Sequence, residues 1–157
     1  MIDASRLAQL EAWVQEETGA QRRLARLLEA EERALVSGTP GELDEALQSL
    51  ESEMRQAGPR AARRTELLRL AARDLGVAPA ALTIRSAAGR LGERGERLAR
   101  LRAELAEAAR GASRAARKVG VLARWQQAAN HKMLGEIGAL VSDGRGAAAG
   151  VMLDAEA

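Results

Sequence analysis

A chain of 157 residues that is 46% apolar can build one domain with a substantial core, yet this one has no Tyr, Phe or Cys and only two Trp. Much of the apolar count is Ala, so the core must be thin, made of Leu and Ala between long helices; disulfide and thiol chemistry are excluded and an enclosed catalytic pocket is disfavoured. The formal net charge is only +2, because residues 1–53 hold 12 acids and 5 bases while residues 54–157 hold 10 acids and 19 bases, so an acidic first half can lie against a basic second half.

Helix 1 is predicted over about residues 3–36. Leu7, Leu10, Val14, Glu17, Gln21, Leu24, Leu28, Glu31 and Leu35 recur at spacings of three and four, a heptad seam rather than a strand pattern. Glu17 and Glu31 interrupt it as register-setting polar residues, and Trp13 beside it belongs to the core. Gly38 ends the helix. Thr39, Pro40 and Glu42 then supply a hydroxyl cap, a proline at the first helical position and a glutamate three residues after the cap, which together form a capping box.

Helix 2 is predicted over about residues 40–75, with its seam on Leu43, Leu47, Leu50, Met54, Ala57, Ala61, Arg64, Leu68, Ala71 and Leu75. The Gly58, Pro59 pair predicts a kink or short break, since an interior proline removes a donor and clashes with the preceding turn at roughly 3 kcal/mol. Gly76 is the expected C-cap, Pro79 follows it, and Thr83 caps the next helix.

Helix 3 is predicted over about residues 83–142, its seam running through Ile84, Ala87, Leu91, Leu98, Leu101, Leu105, Ala108, Ala112, Ala115, Val119, Leu122, Ala129, Met133 and Leu140. At about 1.5 Å per residue it would reach roughly 90 Å against roughly 50 Å for helix 1. Gly89, Gly92 and Gly95 weaken its start, and Gly111 and Gly120 its middle. Residues 143–157 read as a flexible tail, with Val151, Met152 and Leu153 as a short apolar cluster. The fold class is therefore all-α: an elongated, coiled-coil-like, up-down-up antiparallel three-helix bundle with a long C-terminal third helix, one helical domain over residues 1–142.

Short connections force antiparallel neighbours, so helix 3 passes the residue 37–39 corner near Val119 and then overruns its partners. The overrun carries Val121, Leu122, Trp125, Met133, Leu134, Ile137, Leu140 and Val141, more apolar side chain than a lone helix should expose. Capture of a partner protein is the leading reading of such an element; self-association or folding back, and membrane-surface binding, are the alternatives. Trp125 suits an aromatic anchor.

Other candidate chemistry is weak. His131 is the only histidine and has no paired ligand spacing. Glu16, Glu17, Glu29, Glu31 and Glu32 cluster in sequence, but acid–base work needs facing groups in a cleft. Gly144, Arg145 and Gly146 do not make a phosphate loop. Between Ala108 and Gly135 there is no acid, while Arg110, Arg114, Arg117, Lys118, Arg124 and Lys132 are basic; without interleaved aromatics this run reads as facing acids or solvent rather than nucleic acid. No catalytic, cofactor or metal site is expected. Asp3 and Glu11 argue against a secretory signal, and no apolar run approaches a membrane span, so a cytoplasmic location is expected, without stable membrane insertion.

The chain resembles the FlgN family of flagellar export chaperones. The matching features, in order, are Leu27, Leu28, Glu31, Glu32, Ala34, Leu35 and Gly38 at the end of helix 1; Arg63, Arg64, Leu67 and Leu68 with Leu75 and Gly76 closing helix 2; Leu82, Thr83 and Ile84 opening helix 3; and Asn130 followed by Met133 and Leu134. It departs from the family at the Gly58, Pro59 pair, at Arg55 where a lysine is common, and in lacking an aromatic residue before the tail glycine. The resemblance implies a cytoplasmic, non-enzymatic type III export chaperone that binds hook–filament junction (hook-associated) proteins through its C-terminal helix, prevents their premature assembly and meets the flagellar export apparatus. The expected client-binding residues are Trp125, Asn130, Met133, Leu134, Ile137, Leu140 and Val141. A self-assembling coiled-coil scaffold and a basic helical nucleic-acid-associated protein are the alternatives.

Overall fold

The structure, a computed structural model, describes the backbone of residues 2–154 and the side chains of residues 2–139. Among these residues the fold is all-α: α1 (Ala4–Ser37), α2 (Pro40–Arg55), α3 (Ala57–Leu75), α4 (Ile84–Leu91) and α5 (Glu96–Asp154), with 3-10 turns at Pro79–Ala81 and Gly92–Gly95. The chain divides into two compact units, residues 1–119 and residues 120–157.

In the first unit, local chemistry sets the helix ends. Asp3 opens α1 by accepting from the Arg6 amide at 2.7 Å. The capping box of α2 is present: the Thr39 N–H donates to the Glu42 carboxylate at 2.6 Å and the Glu42 N–H to the Thr39 hydroxyl at 3.3 Å. The bond from the Thr39 backbone, then that from its hydroxyl, holds the Glu42 carboxyl below its ordinary range. Replacing Thr39 with Ala is expected to cost about 1 kcal/mol, seen as a lower urea midpoint at unchanged slope. A changed slope would show that the corner does more than cap.

The core of this unit has two apolar clusters. One joins Leu10, Trp13 and Val14 of α1 to Leu67 and Ala71 of α3, Ala87 of α4 and Leu98 of α5; the other joins Leu28 to Ala115 and Val119. Away from these clusters α1 carries half-buried polar groups that meet α2 and α3. Arg60 sits 3.1 Å from both Glu17 and Glu53, and Glu53 also takes Arg23 at 3.1 Å. The Trp13 indole N–H donates to the Arg60 carbonyl at 3.1 Å, so a core ring is tied to the polar layer through one backbone atom.

That layer explains a correction to helix 2. The predicted seam positions Leu47, Met54, Ala57, Ala61 and Arg64 are all exposed, whereas Ala46 is buried and Leu50, Glu53 and Arg60 are half-buried. For much of its length the inward face lies one residue earlier than the large apolar side chains suggest, because the Glu17–Arg60–Glu53 ion pairs draw two charged positions inward. The break falls at Gln56, upstream of Gly58 and Pro59, so Pro59 becomes the third residue of α3. There an amide has no intrahelical acceptor to lose, and the cost of an interior proline does not arise.

Helix 3 is also corrected: it is not one helix from residue 83. Thr83 caps α4, accepting from the Ser86 N–H at 3.1 Å. The chain then turns through Gly92–Gly95 before α5 begins. Gly92 takes φ +56°, ψ −131°, which is open to glycine but not to residues with a Cβ. A Cβ on Gly95 would lie 2.1 Å from the Ala88 carbonyl oxygen, so the turn closes onto α4 backbone to backbone.

Glu31 is the unpaired acid of the α1 seam. It is only 8% exposed, its Oε2 has no hydrogen-bond partner among the described residues, and burial raises its carboxyl above the ordinary 4.5. The folded chain thus holds this proton more tightly than the unfolded chain, and stability must fall as pH rises from about 4.5 through the raised value. Glu31→Gln is expected to add about 1 kcal/mol near pH 7 and almost nothing near pH 4, measured by denaturant unfolding at both. An equal gain at both would locate the cost in side-chain shape rather than charge.

In the second unit α5 is a helix from Gly120 onward, and it is interrupted at neither Gly111 nor Gly120. Its backbone helix includes residues 143–154, past the end near residue 142 predicted for helix 3. Glycine weakens a helix by about 1 kcal/mol relative to Ala but keeps its amide donor, and three alanines stand between Gly146 and Gly150. The cluster Val151, Met152 and Leu153 lies outside the described side chains, and residues 155–157 lie outside the described backbone.

Candidate partner-binding site

Within the second unit several large apolar side chains are in water: Trp125 is 70% exposed, Leu134 66%, Ile137 56% and Met133 54%, while Leu122 is half-buried. Asn130 is exposed too. At about 100° per residue, Asn130, Met133, Leu134 and Ile137 fall within an arc of about 100° on α5. Four of the expected site residues are thereby brought onto one face. Trp125 is not among them. It lies about 80° from Met133 and about 180° from Leu134, on the side of Val121 and Lys132, which separates it from the face it was grouped with. Leu140 and Val141, the remaining two, lie outside the described side chains.

This face can do little chemically besides cover apolar surface. Lys132 and Glu136, 3.9 Å apart, form an exposed pair on the same segment, a geometry worth about 0.3–0.5 kcal/mol at most. The Asn130 amide can donate and accept at once, which suits fixing the register of an incoming helix more than adding affinity. Facing apolar groups at three-and-four spacing are what a helix-in-groove contact requires.

The other candidates are dispersed. Glu16 pairs with Arg63 at 2.7 Å and Glu17 with Arg60, so these two acids of α1 are engaged in ion pairs rather than facing each other across a cleft. His131 is exposed, and among the described residues no three metal-ligating side chains converge. In the basic run, Arg110 and Arg114 bind Glu107 of their own helix at 2.7 and 3.4 Å. Hydrogen bonds from Arg110 and then Arg114 hold the Glu107 carboxyl below its ordinary range. Arg117 and Lys118 are exposed. Within the first unit the run thus meets solvent or its own helix, while Glu11, Glu16 and Glu17 pair with bases outside the run at Arg97, Arg63 and Arg60. Among the described residues no helix is long and apolar enough to cross a membrane.

An all-α chain with a polar-layered first unit and an exposed apolar helix face in its second belongs to the class of helical binding proteins. The FlgN protein family matches residues 1–144, and the chain belongs to that family of flagellar export chaperones. No curated protein and no solved structure matches it.

Proposed function

We propose that this chain is a cytoplasmic, non-enzymatic chaperone of the flagellar type III export system that binds hook–filament junction proteins and keeps them from assembling before export. In this reading the first unit, arranged as an up-down-up antiparallel three-helix bundle, is the handle, and α5 beyond Val119 is the capturing arm. The client is held on the face of Asn130, Met133, Leu134 and Ile137, continued by Leu140 and Val141, with Trp125 contacting from the flank. The observation that supports it is the exposure of four large apolar side chains on one short helical segment, in a chain whose family serves flagellar export. Such a face loses its solvent penalty when a client's own amphipathic helix covers it. The export apparatus then receives the pair.

The test is mixing the full chain with a purified hook–filament junction protein and following both by size-exclusion chromatography with light scattering. Co-elution, with the junction protein held below its polymerised mass, is the expected result. Separate elution would sink the reading, and a mass rising with the concentration of this chain alone would favour self-association through the same face.

A further inference from the structure

One cavity of about 310 Å³ in the first unit is lined by an arginine from each of three elements: Arg64 of α3, Arg85 in the first turn of α4 and Arg102 of α5. The rest of its lining is Leu68, Leu82, Thr83 and Ile84, with no acid. Among the described residues no carboxylate stands within 4 Å of any of the three guanidiniums. The acids in the adjoining cavities are engaged elsewhere: Glu17 is bonded to Arg60 at 3.1 Å, and Glu96 stands 3.9 Å from Arg100.

Arg64 and Arg85 are exposed and Arg102 is half-buried, so the concavity presents three like charges without a counter-charge, and an anion seated among them complements that field. The α4 terminus adds to the field. Its Thr83 and Ser86 amides are consumed by the capping box, while the Ile84 and Arg85 amides have no intrahelical acceptor and sit at the positive end of the helix dipole. Guanidinium forks take a carboxylate through two parallel hydrogen bonds. The apolar lining then chooses among anions: Leu68, Leu82 and Ile84 offer nothing to a hydrated phosphate but cover an aliphatic side chain well. The volume stands at the small end of the ~300–1,000 Å³ typical of ligand pockets, enough for one or two side chains.

We propose that this cavity is a second docking site, which binds an acidic peptide segment of a protein partner through a carboxylate side chain flanked by an aliphatic one. It lies wholly in the first unit and does not depend on where the client is held.

The test titrates the full chain, isotope-labelled at the arginine side-chain nitrogens, with three probes at matched ionic strength. These are a capped Leu-Glu-Leu-Asp-Leu peptide, the same peptide with Gln and Asn in place of its acids, and inorganic phosphate. Saturable shifts of the Nε–H signals of Arg64, Arg85 and Arg102 are expected with the acidic peptide, with binding at least about ten-fold weaker for the other two probes. Arg85→Gln combined with Arg102→Gln should abolish the response at Arg64. An equal response to phosphate would show a plain anion site and overturn the proposal, as would the absence of saturable shifts at these three arginines or an undiminished response in the double variant.

Discussion

The chain carrying Leu134→Asp and Ile137→Asp is expected to lose its protein client, with affinity reduced at least about a hundred-fold, while the unfolding midpoint of the first unit stays where it was. Both side chains are more than half exposed in the free chain, so the substitutions create no cavity and remove no core contact. Their cost to α5 is a few tenths of a kcal/mol each in helix propensity. In the complex each Asp would sit where an aliphatic side chain is covered, and burying an ionised carboxylate without a partner costs several kcal/mol. Because Leu134 and Ile137 are about 60° apart on the helix, one covering helix meets both. Trp125→Ala should weaken binding less, since Trp125 lies off that face. Binding followed by calorimetry and unfolding followed by circular dichroism separate the two effects. A midpoint that drops together with affinity would place these residues in a core instead of a contact face.

The sequence made α1 legible because its periodicity is set by aliphatic side chains: Leu10, Val14 and Leu28 are buried as the seam requires, and Trp13 with them. In α2 and α3 the same reading held at Leu43, Leu50, Leu68, Ala71 and Leu75, which lie inward, but between them it slipped at Leu47, Met54, Ala57, Ala61 and Arg64, which are exposed. Leu47 and Met54 are larger than Ala46 and more apolar than Glu53, so hydrophobicity alone picks the wrong face. The right one is chosen by ion pairs between residues 17, 53 and 60, which no local pattern displays. The exposed face proposed for the client is legible from spacing, as Asn130, Met133, Leu134 and Ile137 need only the helical repeat to converge. Trp125 could have been set apart by the same count. The arginine cavity could not have been read this way: residues 64, 85 and 102 come together only through the packing of three elements.

Gly89 and Gly95, six residues apart in sequence, give the second large effect. Gly95→Ala is expected to destabilise the first unit by about 1–3 kcal/mol, the usual range for overpacking, because the new methyl would stand 2.1 Å from the Ala88 carbonyl oxygen and 2.9 Å from its carbon. Those are backbone atoms of a buried residue, so no side chain can rotate aside. Relief requires α4 to move away from α5, and Ala87, Ala88 and Leu98, all in the main apolar cluster, would lose contact together. Gly89→Ala is the control. A Cβ there meets nothing within 4 Å and the residue is interior to α4, so the change should stabilise by roughly 0.5–1 kcal/mol through helix propensity alone. Measured side by side in urea, the two alanines should shift the midpoint in opposite directions. A Gly95→Ala chain as stable as the parent would mean that the Gly92–Gly95 turn does not close onto Ala88 in solution, and that α4 packs without the backbone contact that splits the predicted third helix.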